Sequence, residues 1–363
     1  SRIALKKSPD PSDRAELERC MQEDVVVRAL ADIEQGAQLS ACRFTRDYEG
    51  GLCADWPVSD NARRLIRILG TRARLEAERG DAHKAWETVQ TQLKFADAMR
   101  WDPTCDSQFT REIMIVHSCR IVVQLCDIAP PDEEQCRRLE DLLKNLDGID
   151  PFVHAVDAER LLKGEWLFKL PQNRLYEALP ENALGGSGTP EFFRRLIFRY
   201  LVYRPRLIAD HAAYLQRMRK GVLLFEGPYV PRGAEGYDEI WNVPGKYILT
   251  HELSPMLDFI QGYYRKAMTE LRLTRAGLGL IRYRQAHGAY PETLDELGLE
   301  GLIDPFNGAP LHYRNEGEGF LVYGVNEDCR DDGGTEKESR DDKEFDILWR
   351  FPRQTDAEGA DGQ

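Results

Sequence analysis

The sequence has no apolar run of about 18 residues, so nothing in it reads as a membrane-spanning helix. It also lacks a signal peptide's short apolar core behind a basic start. No CxxC pair occurs and none of the seven histidines stands at finger spacing, which argues against a structural zinc site. HExxH, GxSxG and the P-loop are absent, so no motif-bearing metalloprotease, α/β-hydrolase or P-loop nucleotidase is indicated. Positive charge is in deficit: 49 Lys and Arg face 62 Asp and Glu, a net charge of −13. A general nucleic-acid binder needs the opposite field, so no nucleic-acid partner is expected.

What is present suffices for a folded protein of one or two domains. The chain has 363 residues, of which 42% are hydrophobic and 31% charged. It opens at Ser1, without Met, on the polar stretch SRIALKKSPDPSDR. We expect a signal or membrane anchor to have preceded that stretch. One basic island stands out, FFRRLIFRYLVYRPR, with Arg194, Arg195, Arg199, Arg204 and Arg206 among aromatics. It reads first as a packed amphipathic helix with snorkelling arginines, and second as a lipid or nucleic-acid surface. Of the eight cysteines, Cys119 and Cys126 are seven apart in a helical apolar run and should share a core face. Cys42 and Cys53 flank a loop with a Gly–Gly turn and are either a disulfide or two thiols.

Residues 1–250 read as a helical domain. A first helix is expected from Ser12 to Gln38. A helical hairpin follows from Asn61 to Arg100, with stripes Leu65, Ile66, Leu69, Leu75 and Ala85, Trp86, Val89, Leu93, Phe95 about a Gly80–Asp81 break. Its pattern resembles a single tetratricopeptide-like pair, with no second copy at a 34-residue period. Further helices are expected at Gln108–Asp127, Asp132–Leu146, Pro151–Leu170, Pro190–Arg204 and Pro205–Leu224. Loops are expected near 171–190, around a Gly–Gly–Ser–Gly run, and near 226–247.

Residues 251–351 form the second unit, and 352–363 read as a disordered tail. A long helix from about Ser254 should end at His287–Gly288, with Gly288 as its C-terminal cap. Pro291 should open a short helix carrying Leu294, Leu297 and Leu299. LHYRN, GFLVYGV and FDILWRF then alternate as three antiparallel strands. Leu278, Ile281, Leu294, Leu297, Leu321, Tyr323, Ile347 and Trp349 are the expected core of this unit. The fold class is thus mainly α, a helical domain followed by a small α+β unit with one three-stranded antiparallel sheet.

Between the second and third strands lies an acidic loop, Asn326 to Asp346, with ten acidic and four basic residues. So many carboxylates on a loop with a Gly333–Gly334 turn suit an oxygen-seeking cation, which takes six to eight ligands. The alternative is a solvated acidic loop whose Arg330, Lys337, Arg340 and Lys343 neutralise it. The spacing is not that of an EF-hand.

The words HGAYPETLDEL, DPFNGAPLHYR, FLVYGV, EDCRDDGG and DILW occur in the order found in a known family. From Leu271 to Phe351 the chain resembles the globular C-terminal part of the major pseudopilins of type II secretion. It is more similar still to large bacterial envelope proteins that append such a tail to a helical domain. The resemblance implies a structural calcium in the last loop. The family's pattern falls on Asp328, Gly333, Gly334, Asp346, Ile347 and Trp349, with Cys329 where Gly is usual and a longer insertion, TEKESRDDKE. Asp328 and Asp346 are the leading expected calcium ligands, with Asp331, Asp332 and Asp342 next. A helical domain stands where pseudopilins have their polymerising helix, so no pilus-like polymer is implied.

The function expected is a non-enzymatic protein of the bacterial cell envelope or periplasm. It would be a helical scaffold with a calcium-stabilised tail, acting through contacts with other envelope proteins in a secretion-like assembly. The alternative is a hydrolase or ligand-binding protein with a pocket in the helical domain near residues 226–251. The nearest acid–base pairings, His251–Glu252, His154 with Asp157, and Glu159 with Glu165, read more simply as surface or satisfied core groups. Gly277-x-Gly279 lies inside a helix with no preceding strand, which makes a nucleotide reading weak.

Overall fold

The computed structural model describes residues 11–39, 42, 44, 58–178, 189–201, 204–238, 242–253, 257–335 and 345–352. Over these residues the protein is mainly helical, with one three-stranded antiparallel sheet near the C-terminal end.

The first expected helix is two, α1 (Pro11–Met21) and α2 (Asp24–Gly36). At the break the amides of Gln22 and Glu23 bond to the carbonyls of Arg19 and Cys20, three residues back. Neither Gly nor Pro marks the break, so it carries no local signal. The hairpin is α3 (Val58–Glu78) and α4 (Ala82–Ala98), joined by Gly80 at φ +87°. Only glycine enters that conformation without cost, so the turn falls where the sequence places it. Ile66, Leu69, Ala85, Trp86, Val89 and Leu93 are all fully buried, packing the pair on α5 (Cys105–Ile128). Thr104 caps α5, its hydroxyl oxygen accepting the Ser107 amide at 3.2 Å. Cys119 and Cys126 are both in the core. Cys53 and the Gly185–Gly188 run lie outside the described residues.

Asp132 and Gln135 form a reciprocal capping box that opens α6 (Glu133–Leu146). Next, α7 (Asp150–Glu159) widens into a π turn at Arg160–Glu165 and ends in α8 (Trp166–Phe168). The Tyr214 ring occupies the place a side chain on Gly164 would need, so the wide turn accommodates a ring packed on bare backbone. Then come α9 (Gln172–Ala178), α10 (Glu191–Leu201), α11 (Arg204–Glu226), α12 (Ile248–Leu253) and α13 (Leu257–His287). Pro205 sits in the first turn of α11, where its missing N–H costs nothing.

The long helix α13 is buried on nearly every side, from Ala267 through Ile281. One side packs on α5 and α6, the other on the sheet. Gly288, at φ +79°, ends it as expected, its amide bonding to Arg284. The short helix is only a 3-10 turn, Leu294–Leu297, stapled by a Thr293–Glu296 capping box. Leu297 is buried, but Leu294 and Ile347 are only half-buried.

Strands β1 (His312–Asn315), β2 (Phe320–Gly324) and β3 (Ile347–Phe351) form an antiparallel meander with β2 central. Val322 pairs with Tyr313 and with Trp349, and Phe320 with Asn315 and with Phe351. The expected core is wrong by one residue in β2. Phe320 and Val322, in register with Trp349, face α13, whereas Leu321 and Tyr323 point to the opposite side. Both sets are buried, because the chain after β2 crosses the outer face and lays Gly334 on Leu321 and Tyr323. With both faces covered, alternation of polar and apolar residues disappears and no longer tells which face is inside.

Glycine sets the depth of this packing. Trp349 lies where a side chain on Gly277 would be, and Leu297 and Leu299 fill the space beside Gly279. The Gly277-x-Gly279 pair is therefore a docking surface for the sheet and the 3-10 turn, which explains two glycines in a helix that would otherwise gain about 1 kcal/mol each from alanine.

Candidate metal centre in the acidic loop

The loop after β2 is held by one carboxylate. Asp346, 8% exposed, accepts the amides of Asp332 and Gly334 on Oδ2, both at 2.9 Å. Gly333 and Gly334 have φ of +72° and +64°, a conformation that glycine adopts without the steric cost a side chain would bring. The side-chain amide of Asn326 donates to the Phe345 carbonyl at 2.9 Å and ties the start of the loop to its end. Cys329 is itself left-handed at φ +57°, so the backbone keeps the conformation that glycine would favour there.

The remaining acids are arranged locally. Asp328 accepts the Arg330 amide at 3.2 Å and Asp331 accepts the Gly333 amide at 2.8 Å, two short turns of the Asx kind. Asp331 also lies 3.8 Å from His312 Nε2, whose ring stacks on Tyr323. Asp332 contributes its carbonyl, which accepts the Thr335 hydroxyl at 2.7 Å. Asp342 lies outside the described residues. The four expected ligands that are described are thus not gathered as a cluster of side chains, and among the described residues no group of three or more acids, histidines or cysteines surrounds a common point.

One carboxylate oxygen of the loop is left over. Asp346 Oδ1 is buried and receives no hydrogen bond in the structure. Burial pushes the Asp346 carboxyl above the usual range, and Asp331 and Asp332 add to that effect against the two amides that oppose it. Neither Lys nor Arg among the described residues forms an ion pair with it, and Arg330 is exposed. A buried carboxylate oxygen without a donor costs roughly 1–3 kcal/mol. A cation held by Asp346, peptide carbonyls and loop acids would remove that cost, so the residues fit a hard ion in this respect.

A second acid, absent from the expected set, braces the same region. Asp304 is fully buried and accepts the amides of Phe306 at 2.8 Å and Val325 at 2.6 Å. Its carboxylate lies where a side chain on Gly324 would go. The sequence marked the Asp304–Pro305 and Asn307–Gly308 turn, but an acid reaching 21 residues ahead to the end of β2 has no local signal.

The acid–base candidates of the helical part are engaged structurally. Glu159 accepts the Cys105 amide at 2.8 Å at the start of α5 and pairs with Lys163 at 2.5 Å. Glu165 meets His211 at 2.9 Å and Lys169 at 3.1 Å, contacts that hold its carboxyl low. The His211 ring stacks on Phe168. His154 and His251 are exposed, and Asp157 pairs with Arg160.

Clefts open on this part. One, of about 570 Å³, lies between α7 and α11 over Val153, Val156, Leu215, Met218 and Val222. Its floor is apolar, and His154, Asp157, Arg160 and Arg219 stand along it, with Asp157 paired to Arg160 rather than to His154. Another, of about 480 Å³, is lined by Asp147, Tyr264, Arg265 and Arg272. Its charged groups hold one another and the backbone: Arg272 grips Asp147 through two bonds of 2.9 Å, and Arg265 donates to the carbonyls of Pro305, Phe225 and Gly227. Compared with known protein families, curated proteins and solved structures, the chain matches none.

Proposed function

We propose that this protein is a non-enzymatic component of the bacterial cell envelope, a helical scaffold that ends in a calcium-stabilised, pseudopilin-like unit and works through contacts with other envelope proteins. The observation that carries the calcium reading is the buried Asp346 oxygen without a donor, set in a loop that concentrates negative charge. Asp346 would anchor the ion, with Asp328 and loop peptide carbonyls completing the ligand set. Bound calcium supplies positive charge that turns mutual repulsion among the loop acids into attraction. The loop covers Leu321 and Tyr323, so fastening it also protects the outer face of the sheet. The engagement of Glu159 and Glu165 around the π turn, and the pairing of Asp157 with Arg160 in the larger cleft, support a scaffold over a hydrolase.

The test is a thermal melt of the whole chain in calcium and in chelator. Calcium should raise the melting temperature, by an amount equivalent to about 2.7 kcal/mol at a hundredfold excess over the dissociation constant. Asp328→Asn should keep the turn to Arg330, since an amide oxygen accepts as well, yet lose most of the calcium-dependent gain. Superimposable melts in calcium and chelator would sink the metal reading.

A further inference from the structure

None of the described side chains of α10 is fully buried. Its inner side, Ile197 and Phe198, is half-buried against the core, and the Phe198 ring meets Tyr176 of α9 edge-on at 5.0 Å. The Tyr176 hydroxyl donates to Glu191 at 2.7 Å and fixes the start of the helix. The outer side carries Phe192 at 72%, Phe193 at 53% and Leu196 at 54% exposure. At about 100° per residue these three share one outward strip, with Arg195 and Arg199 along its edge. Arg195, 72% exposed, bonds to Glu191 at 2.9 Å, and Arg199 is also exposed.

The helix packs by one side, as the sequence first suggests, but its outer strip is apolar as well. Two phenylalanines and a leucine in contiguous exposure are unusual on a surface that faces only water. Their company decides what would cover them. From Arg194 to Arg206 the chain has five arginines and no acid, in a protein of net charge −13. Cations beside an exposed aromatic and aliphatic strip match an anionic lipid surface, where rings enter the acyl boundary and guanidinium groups reach the headgroups. Nucleic acid would use the arginines but leave the phenylalanine strip in water. We propose that α10 is an interfacial helix that docks the protein on an anionic membrane surface. This proposal is independent of the calcium reading, since it uses no residue of the tail.

The experiment is vesicle co-sedimentation of the full chain, with vesicles of phosphatidylcholine alone or with phosphatidylglycerol added. The protein should sediment with the phosphatidylglycerol vesicles, remain in solution with pure phosphatidylcholine, and release progressively as salt rises. Arg195→Glu with Arg199→Glu should cut partitioning at least about tenfold. Phe192→Ser with Phe193→Ser should cut it comparably by removing the apolar strip. All four residues are exposed, so both variants should keep the unmodified melting temperature. Failure of the unmodified protein to bind phosphatidylglycerol vesicles overturns the proposal. So does vesicle binding that survives both double substitutions. Binding to a duplex oligonucleotide, lost with the arginines but kept without the phenylalanines, would assign the helix to nucleic acid instead.

Discussion

The helical region and the sheet-bearing tail bury carboxylates by different means. In the helices, backbone amides are consumed within each helix, so a buried acid finds a side chain or a helix start. Glu112 is fully buried against Arg111 at 3.1 Å, and Glu270 is gripped twice by Arg120. Glu159 reaches the first turn of α5, and Asp210 takes the amides of Leu249 and Thr250 at the start of α12. In the tail, turns leave amides free in the middle of the chain, and Asp304 and Asp346 each collect two of them. Charge pairs are replaceable as units, because two side chains can be exchanged together. An amide cradle is not, because the backbone donors remain after the acid has gone.

That contrast is open to test, beginning where the effect is largest. Arg111→Met should cost about 3–5 kcal/mol in urea unfolding, since it leaves the buried Glu112 carboxyl without its partner. Arg111→Met with Glu112→Leu should recover most of that loss. The pair is incompletely satisfied as it stands, with Arg111 Nε and Glu112 Oε2 both lacking partners. A double variant as unstable as the single one would show that the pair is not an exchangeable unit.

Asp304→Ala in the tail should cost about 2–4 kcal/mol, because the Phe306 and Val325 amides are left unpaired. Here no second substitution can restore stability, as the orphaned donors belong to the backbone. Asp304→Asn should recover only part, since one amide oxygen replaces two carboxylate oxygens. Equal stability of the alanine variant and the unmodified protein would refute the cradle.

Acid should divide the two opposing groups on α5. Burial raises Glu112 to about 7, with Arg111 pulling the other way. Its folded pKa lies above the unfolded one, so its contribution is present at acid pH and lost as pH rises from about 4.5 to 7. Burial lowers His117 to about 4, helped by the charges of Arg67 and Arg120. Its contribution is present above about 6.5 and lost as pH falls toward 4. Glu112→Gln should therefore steepen the loss of stability in acid, and His117→Leu should flatten it, each by no more than about 3 kcal/mol. Matching pH profiles for the two variants would break this assignment.

The smallest effect belongs to an exposed acid of the loop after β2. Asp331→Asn should change stability by less than about 0.5 kcal/mol in chelator, because an amide oxygen serves the Gly333 turn as well. Urea midpoints of the two proteins should coincide. A larger loss would mean that the contact with His312 and Tyr323 matters more than its exposure allows.

Periodicity and punctuation made much of this fold legible. The α3–α4 hairpin, the Asp132 cap, Pro205, the end of α13 at Gly288 and all three strands follow from apolar spacing and from the backbone limits of Gly, Pro and Asp. The site was legible as a loop and as a concentration of charge. Its internal wiring was not, because Asp346 meets Asp332 and Gly334 only once the loop folds back, and Asp304 meets Val325 across 21 residues.

What the sequence by itself determined are properties of single segments: which stretches coil, where they stop, and where charge accumulates. Tertiary structure alone decided which face of β2 is inner, since covering both faces removes the alternation that would have told. It alone gave Gly277 its role beneath Trp349, since a missing side chain is informative only when its neighbour is known. It left α10 with phenylalanines in water, because a stripe of apolar residues specifies that a helix has a preferred side and not that anything within the same chain will cover it.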